Sequence, residues 1–230
     1  MPAMSNSRPE NVRLEARKRA LHTAARLFLE KGYDRASLRE IAAVAGVNVN
    51  TMVHDFGCKE NLLCELVTYV LAGQFTAAQE LLAGITDDPI LFYAAETTLQ
   101  LYIVESAEHI RGLYNAAYSM SKTADIIRNT LTEKLERIFG AHLPHLTTKD
   151  FYRLEIASGG IMYSFMMRPC DAEFTMEEKV RAFLETSFKI YEVPEKKIQE
   201  AVAFVSRFDY PAIAQNTIGR MLAQLEHNMD

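Results

Sequence analysis

Asn48, Asn50, Thr51 and His54 bring two amides, a hydroxyl and an imidazole into one short run, directly after Gly46. These are groups that hydrogen-bond to a partner, and nothing in their pattern is arranged to turn a substrate over. The run follows Ser37-Leu38-Arg39-Glu40 at the spacing of a helix-turn-helix, with Gly46 allowing the sharp turn and Val47 able to plug the small core between the helices. In such a unit the second helix offers its N-terminal side chains to the DNA major groove, while the first braces it across the backbone. A buried helical hairpin of an ordinary α protein has the same spacing.

Other chemistries find no constellation. The histidines at 22, 54, 109, 142, 145 and 227 have no metal-ligand spacing, and His142-x-x-His145 spans a proline with no third ligand close in sequence. There is no Glu-x-x-His pair of the di-iron kind, no P-loop and no dinucleotide fingerprint. Cys58, Cys64 and Cys170 match no zinc motif and read as free thiols in a reducing compartment. We therefore expect no enzyme, no metal and no cofactor.

The elements that must position the recognition residues are helices throughout. Leu21, Ala24, Ala25 and Phe28 fall at the spacing of one helix face between Arg13 and Lys31, and Gly32 follows where a left-handed cap is wanted. Ser37 and Glu40 form a capping box that opens a helix to Ala45, with Leu38, Ile41, Ala42 and Ala45 inward. A short helix covers about Val49 to Asp55, and Lys59 opens a long one to about Ala83. Asp88-Pro89 starts a helix to about Ser106. Further helices are expected over about 109–120, 123–141, 149–167, 175–191, 195–208 and 211–227, with breaks at Pro144 and Pro169. Period-2 alternation is absent, so the fold class is all-α, with about ten helices.

Composition agrees with a globular chain: of 230 residues, 49% are hydrophobic and 24% charged, which excludes disorder as the dominant state. The longest charge-free stretch, Leu66 to Gln79, is too short for a bilayer span, and the opening MPAMSNSRPE lacks the apolar core of a secretory signal. We expect a cytoplasmic protein with no membrane partner. The net charge is −5, but Lys and Arg exceed Asp and Glu between Arg8 and Glu60, with Arg8, Arg13, Arg17, Lys18, Arg19 and Arg26 crowded early. That asymmetry fits a basic head for polyanions on an acidic body.

The stretch Ala20 to Tyr33 (ALHTAARLFLEKGY), then Ser37-Leu-Arg-Glu-Ile-Ala42, Ala45-Gly-Val47, Phe56, Lys59-Glu60 and Leu62, resembles the DNA-binding domain of TetR/AcrR transcriptional regulators. The resemblance covers about residues 13–62 without gaps. It implies two domains, a helix-turn-helix DNA-binding domain with N-terminal arm at 1–58 and an effector-binding and dimerisation domain at 59–230. It implies a homodimeric, ligand-responsive regulator, most simply a repressor, that binds a pseudo-palindromic double-stranded operator and is released by a small-molecule effector. Carried over by position, the recognition helix is Asn48–Asp55, with contacts from Asn48, Val49, Asn50, Thr51, Val53 and His54. Ser37 and Arg39 suit phosphate, and Lys59 matches a phosphate-contacting position. Three departures stand out: no Tyr precedes His54, Asp55 would bring negative charge to DNA if it faced outward, and Val49 replaces a polar or basic residue. They motivate a second reading, a small-molecule-binding helical dimer with weakened or lost DNA binding.

The body is rich in Tyr and Met, adaptable residues suited to an apolar or aromatic effector. Tyr102, Tyr114, Tyr118, Met162, Tyr163 and Met166 are candidates for that cavity, and His109 or Asn115 could supply a polar anchor. Gly159-Gly160 inside a helix implies either a close helix approach or room for a ligand, and the family resemblance makes 149–167 with 175–191 a candidate dimer bundle.

Overall fold

The computed structural model describes residues 7–227, with side chains from 12 to 224. The first residues of the expected N-terminal arm, and the Arg8 side chain, lie outside the described residues. Eleven helices, and no strand, are found among the described residues: α1 (Ser7–Lys31), α2 (Leu38–Ala45), α3 (Val49–Phe56), α4 (Lys59–Leu82), α5 (Pro89–Glu105), α6 (Glu108–Ser119), α7 (Ser121–Phe139), α8 (Thr148–Met167), α9 (Met176–Ile190), α10 (Glu195–Val205) and α11 (Tyr210–His227). The all-α expectation holds. α1 begins about two turns earlier than its apolar stripe indicates, because polar residues extend a helix without marking it. No described helix is long and apolar enough to cross a membrane.

The local signals work largely as the sequence dictates. Asp88 caps α5 by accepting from the Ile90 N–H at 2.9 Å, with Pro89 in the first turn. Thr175 and Glu178 form a reciprocal capping box at α9. A second box, Thr147 with Asp150, opens α8 one residue before the start expected at about 149. At α2 the Ser37 oxygen accepts from Glu40 N–H at 3.2 Å. The Glu40 carboxylate is drawn to Lys31 of α1 as well, and that ion pair with the Ser37 N–H holds it below the usual carboxylate range. Gly46, with φ of 64°, makes the left-handed turn between α2 and α3, and the Val47 N–H returns to the Ala42 carbonyl at 2.9 Å.

Two apolar clusters fill the interior. The first joins α1, α2 and α3 with the opening half of α4, through Phe28, Ile41, Met52, Phe56, Leu62 and Leu66, and it extends to Ala116 and Ala117 of α6 and Ile127 of α7. The second holds the end of α4 with α5 to α11. α5 runs through its centre, apolar on every side, and so is buried over nearly its whole length. α4 belongs to both clusters.

Candidate nucleic-acid interface and effector cavity

α3 rests on the first cluster through Met52 and Phe56, which turns its other faces outward. Asn48 is the N-cap: its Oδ1 accepts from the Asn50 N–H at 2.8 Å, so this amide oxygen is committed to the helix. Val49 (36% exposed) and Val53 (48%) lie one helical turn apart on the surface, with Asn50 and His54 exposed beside them and Thr51 half-buried. Asp55 does not face outward. Its side chain is 3% exposed and binds Arg13 of α1, whose Nε donates at 3.0 Å, with His54 Nδ1 also at 3.0 Å. The Arg13 guanidinium, then His54, hold its carboxyl below the usual range.

The head's cations are mostly engaged within it. Arg17 meets Glu65 at 2.5 Å and lies over the Phe56 ring, Lys18 pairs with Glu15, Arg26 with Glu30 and Lys31 with Glu40. Lys59 donates to the Tyr33 carbonyl at 2.9 Å and sits 4.0 Å above the Tyr33 ring, and burial draws its pKa down. Arg35 and Arg39 are exposed and carry no ion pair among the described residues. Ser37 lies beside them at the start of α2, its oxygen used for capping.

Where α4 leaves the head, a cavity of about 50 Å3 opens between α4, α5, α6 and α7. Leu63, Leu66, Val67, Leu71, Leu113 and Ile127 wall it, with Gln74, Gln100, Tyr114 and Tyr118 as its polar members. Gln100 and Tyr118 also bound a second chamber of about 40 Å3, with Phe75, Tyr93, Glu96, Lys134 and Met162. A third, of about 160 Å3, lies between α6, α7 and α8 and includes Tyr118, Arg128, Glu155, Gly159 and Tyr163. Tyr118 thus borders all three. Its hydroxyl accepts from Gln100 Nε2 at 3.0 Å, and its ring stacks on Tyr163, which donates to Asn115. Burial raises the carboxyl pKa of both Glu96 and Glu155 to about 7. Gly159 has a clear purpose: a Cβ there would lie 2.7 Å from the Glu155 carboxylate, so the missing side chain makes room for the buried acid.

Of the seven residues expected around an effector, Tyr114, Tyr118, Met162 and Tyr163 converge on these chambers. Tyr102 instead stacks on Tyr210 and lines a separate groove beside α9 and α10. His109 packs against Gly32 at the junction of α1 and α6. Met166 is fully buried, its sulfur 3.7 Å from Gln100 Nε2. The polar residues Gln74, Glu96, Gln100 and Lys134 escaped the sequence reading; Glu96 and Gln100 carry a signal, a polar side chain in the run of α5 that has no solvent face. Among the described residues no three His, Cys, Asp or Glu side chains gather as a metal site.

Residues 20–66 match the family model described as bacterial regulatory proteins, tetR family. No curated protein matches the chain. Among solved structures, RolR in complex with resorcinol is similar over 85% of this chain and 95% of its own, with a TM-score of 0.64 and 18% identity. RolR without ligand is similar over 76% of this chain and 96% of its own, with a TM-score of 0.52 and 18% identity. At such identity the likeness concerns the fold, and it spans head and body together.

Proposed function

We propose that this chain is a TetR-family transcriptional regulator, as the family match over residues 20–66 supports, and that it is a homodimeric repressor released from a pseudo-palindromic operator by a small aromatic effector. The observation that carries the reading is the double membership of α4. Leu63, Leu66 and Leu71 belong to the core that seats α3, and the same residues wall the cavity. A molecule that widens the cavity displaces the helix on which the head rests. That RolR is found with resorcinol supports an aromatic effector here.

In this reading residues 1–58 contact DNA and 59–230 bind effector and partner. Asn50 and Thr51 reach base edges, with the Asn amide suited to adenine, while Val49 and Val53 meet thymine methyl groups. Arg39, Arg35 and the α2 N-terminus at Ser37 hold phosphate. Lys59 joins them only by giving up its contacts with Tyr33. Dimerisation uses α8, whose outer face shows Tyr152 and Ile156.

The test is binding to a labelled fragment from upstream of the protein's own gene, titrated with salt against a random duplex. Selective binding that weakens steeply with salt is expected. A second reading, a ligand-binding dimer with weakened DNA contact, is favoured by the internal pairing of Arg13, Arg17, Lys31 and Lys59. Equal, feeble binding to both duplexes, together with intact ligand binding, would establish it instead.

A further inference from the structure

Gln74 and Glu96 each present an interior oxygen to which no described group donates. Gln74 is fully buried; its Nε2 donates to the Tyr114 hydroxyl, and its Oε1 has no partner. Glu96, 5% exposed, receives no hydrogen bond, and only the charge of Lys134 acts on its carboxylate. An unmet buried acceptor is costly and needs an explanation. The two acceptors line neighbouring chambers, Gln74 in the apolar one and Glu96 in the other. Only the hydrogen-bonded pair Gln100–Tyr118 is common to both chambers.

We propose that these chambers take a flat aromatic molecule bearing two neutral hydrogen-bond donors, one given to Gln74 Oε1 and the other to the Glu96 carboxylate, with the Gln100–Tyr118 bond as the partition it opens. The proposal rests on the effector reading above and names the class of effector. The apolar walls Leu63, Leu66 and Val67 fit a ring, and Tyr118 supplies an aromatic face. Even together the two chambers fall short of the roughly 150 Å3 that admits benzene, and the ring gains the missing room from the third chamber when Tyr118, which borders all three, moves aside. The head is a neutral donor such as a phenolic hydroxyl, because Lys134 beside Glu96 repels an ammonium group.

Occupancy carries a proton signature. Burial holds the Glu96 carboxyl at about 7, so near neutrality it is partly protonated. A ligand donor favours the carboxylate and expels that proton. The groups around Glu96 are Lys134 of α7, drawn down to about 8, Tyr93 of α5, and Tyr114 and Tyr118 of α6, all three tyrosines held neutral by burial. Glu155 of α8, also at about 7, lies across Tyr118 and could release a proton of its own.

Titration calorimetry on the full chain, near neutral pH in two buffers of different ionisation heat, tests this with phenol, the three benzenediols and dimethoxybenzene. At least one benzenediol should bind about ten- to a hundredfold more tightly than phenol, the ether should not bind, and proton release should accompany the diol. Glu96→Gln should abolish the proton release and Glu155→Gln should not. Gln74→Met should bring the diol towards phenol's affinity, with an unchanged circular dichroism spectrum showing the variant folded. Equal binding of diol, phenol and ether, no binding by any of them, or a diol affinity indifferent to both Gln74→Met and Glu96→Gln overturns the proposal. Diol binding that leaves operator binding untouched would uphold the site and overturn the regulatory reading.

Discussion

Asp55 and Glu96 carry the same functional group and have opposite relations to the fold. Asp55 is on α3, the helix proposed to meet DNA, where a free carboxylate would repel phosphate, but it is turned onto Arg13 and fastens α3 to α1. Its folded pKa lies below the ordinary value, so its contribution to stability is present above about pH 4 and is lost as the pH falls through that lower value. Asp55→Asn should cost about 1 kcal/mol at neutral pH, and the difference from the parent should vanish in acid, as read by urea unfolding. Glu96 runs the other way. Its folded pKa, about 7, lies above the unfolded value, so stability is fully present below about pH 4.5 and is lost as the pH rises through 7. The loss is about 3 kcal/mol by alkaline pH. Lys134 and Glu155 titrate nearby, so the measurement is the difference between Glu96→Gln and the parent across pH 5 to 8. The variant should gain relative stability throughout that rise, and a flat difference would show that Glu96 is not a buried, unmet acid.

Among the elements, α3 has the clearest consequence. Val49 and Val53 are four residues apart on one exposed face, roughly 6 Å along the axis, or about two base-pair steps. Replacing thymine by deoxyuridine in the selected half-site removes only the methyl group, and each contacted methyl should be worth about fourfold in affinity, from about 0.8 kcal/mol of burial. Val53→Ala should erase that sensitivity at one position while leaving random-duplex binding alone; sensitivity that survives in both Val49→Ala and Val53→Ala would remove the valines from base contact. The position of α3 was legible because its signals are local: Gly46 for the turn, Asn48 for the cap, Gly57 for the stop. The cavity was only half legible. α5 is apolar on every side, so no stripe says which residues face which neighbour, and Tyr102 reads in sequence like Tyr118 although the first stacks on Tyr210 and the second borders the chambers. Asp55 was illegible for a related reason: its partner Arg13 is 42 residues away, on a helix whose packing angle no local pattern encodes.

At the scale of the whole molecule, one head presents one short helix, and one short helix reads only a few base pairs. Selective binding needs a second head held at fixed spacing, about one turn of DNA away. In the proposed dimer the outside of α8 supplies it. Tyr152 and Ile156 (52% exposed) share a face with Gly160, where a Cβ would meet nothing within 4 Å; Ile156 and Gly160 also rim the third chamber, so a second copy seated there would cover its mouth. α9, by contrast, shows Glu177, Arg181 and Lys189 to the outside, a charged face suited to the rim of an interface. Because Ile156 is exposed in the single chain, Ile156→Glu should leave the thermal melt of that chain little changed while placing two buried charges opposite each other at a two-fold contact. Sedimentation should then give half the parent's mass. Operator affinity should fall by about a hundredfold or more, since linking two modest half-site contacts yields that much, whereas affinity for a random duplex, already set by phosphate contacts, should fall far less. A variant that sediments like its parent, or a monomer that holds the operator as tightly as before, would move the dimer contact off α8.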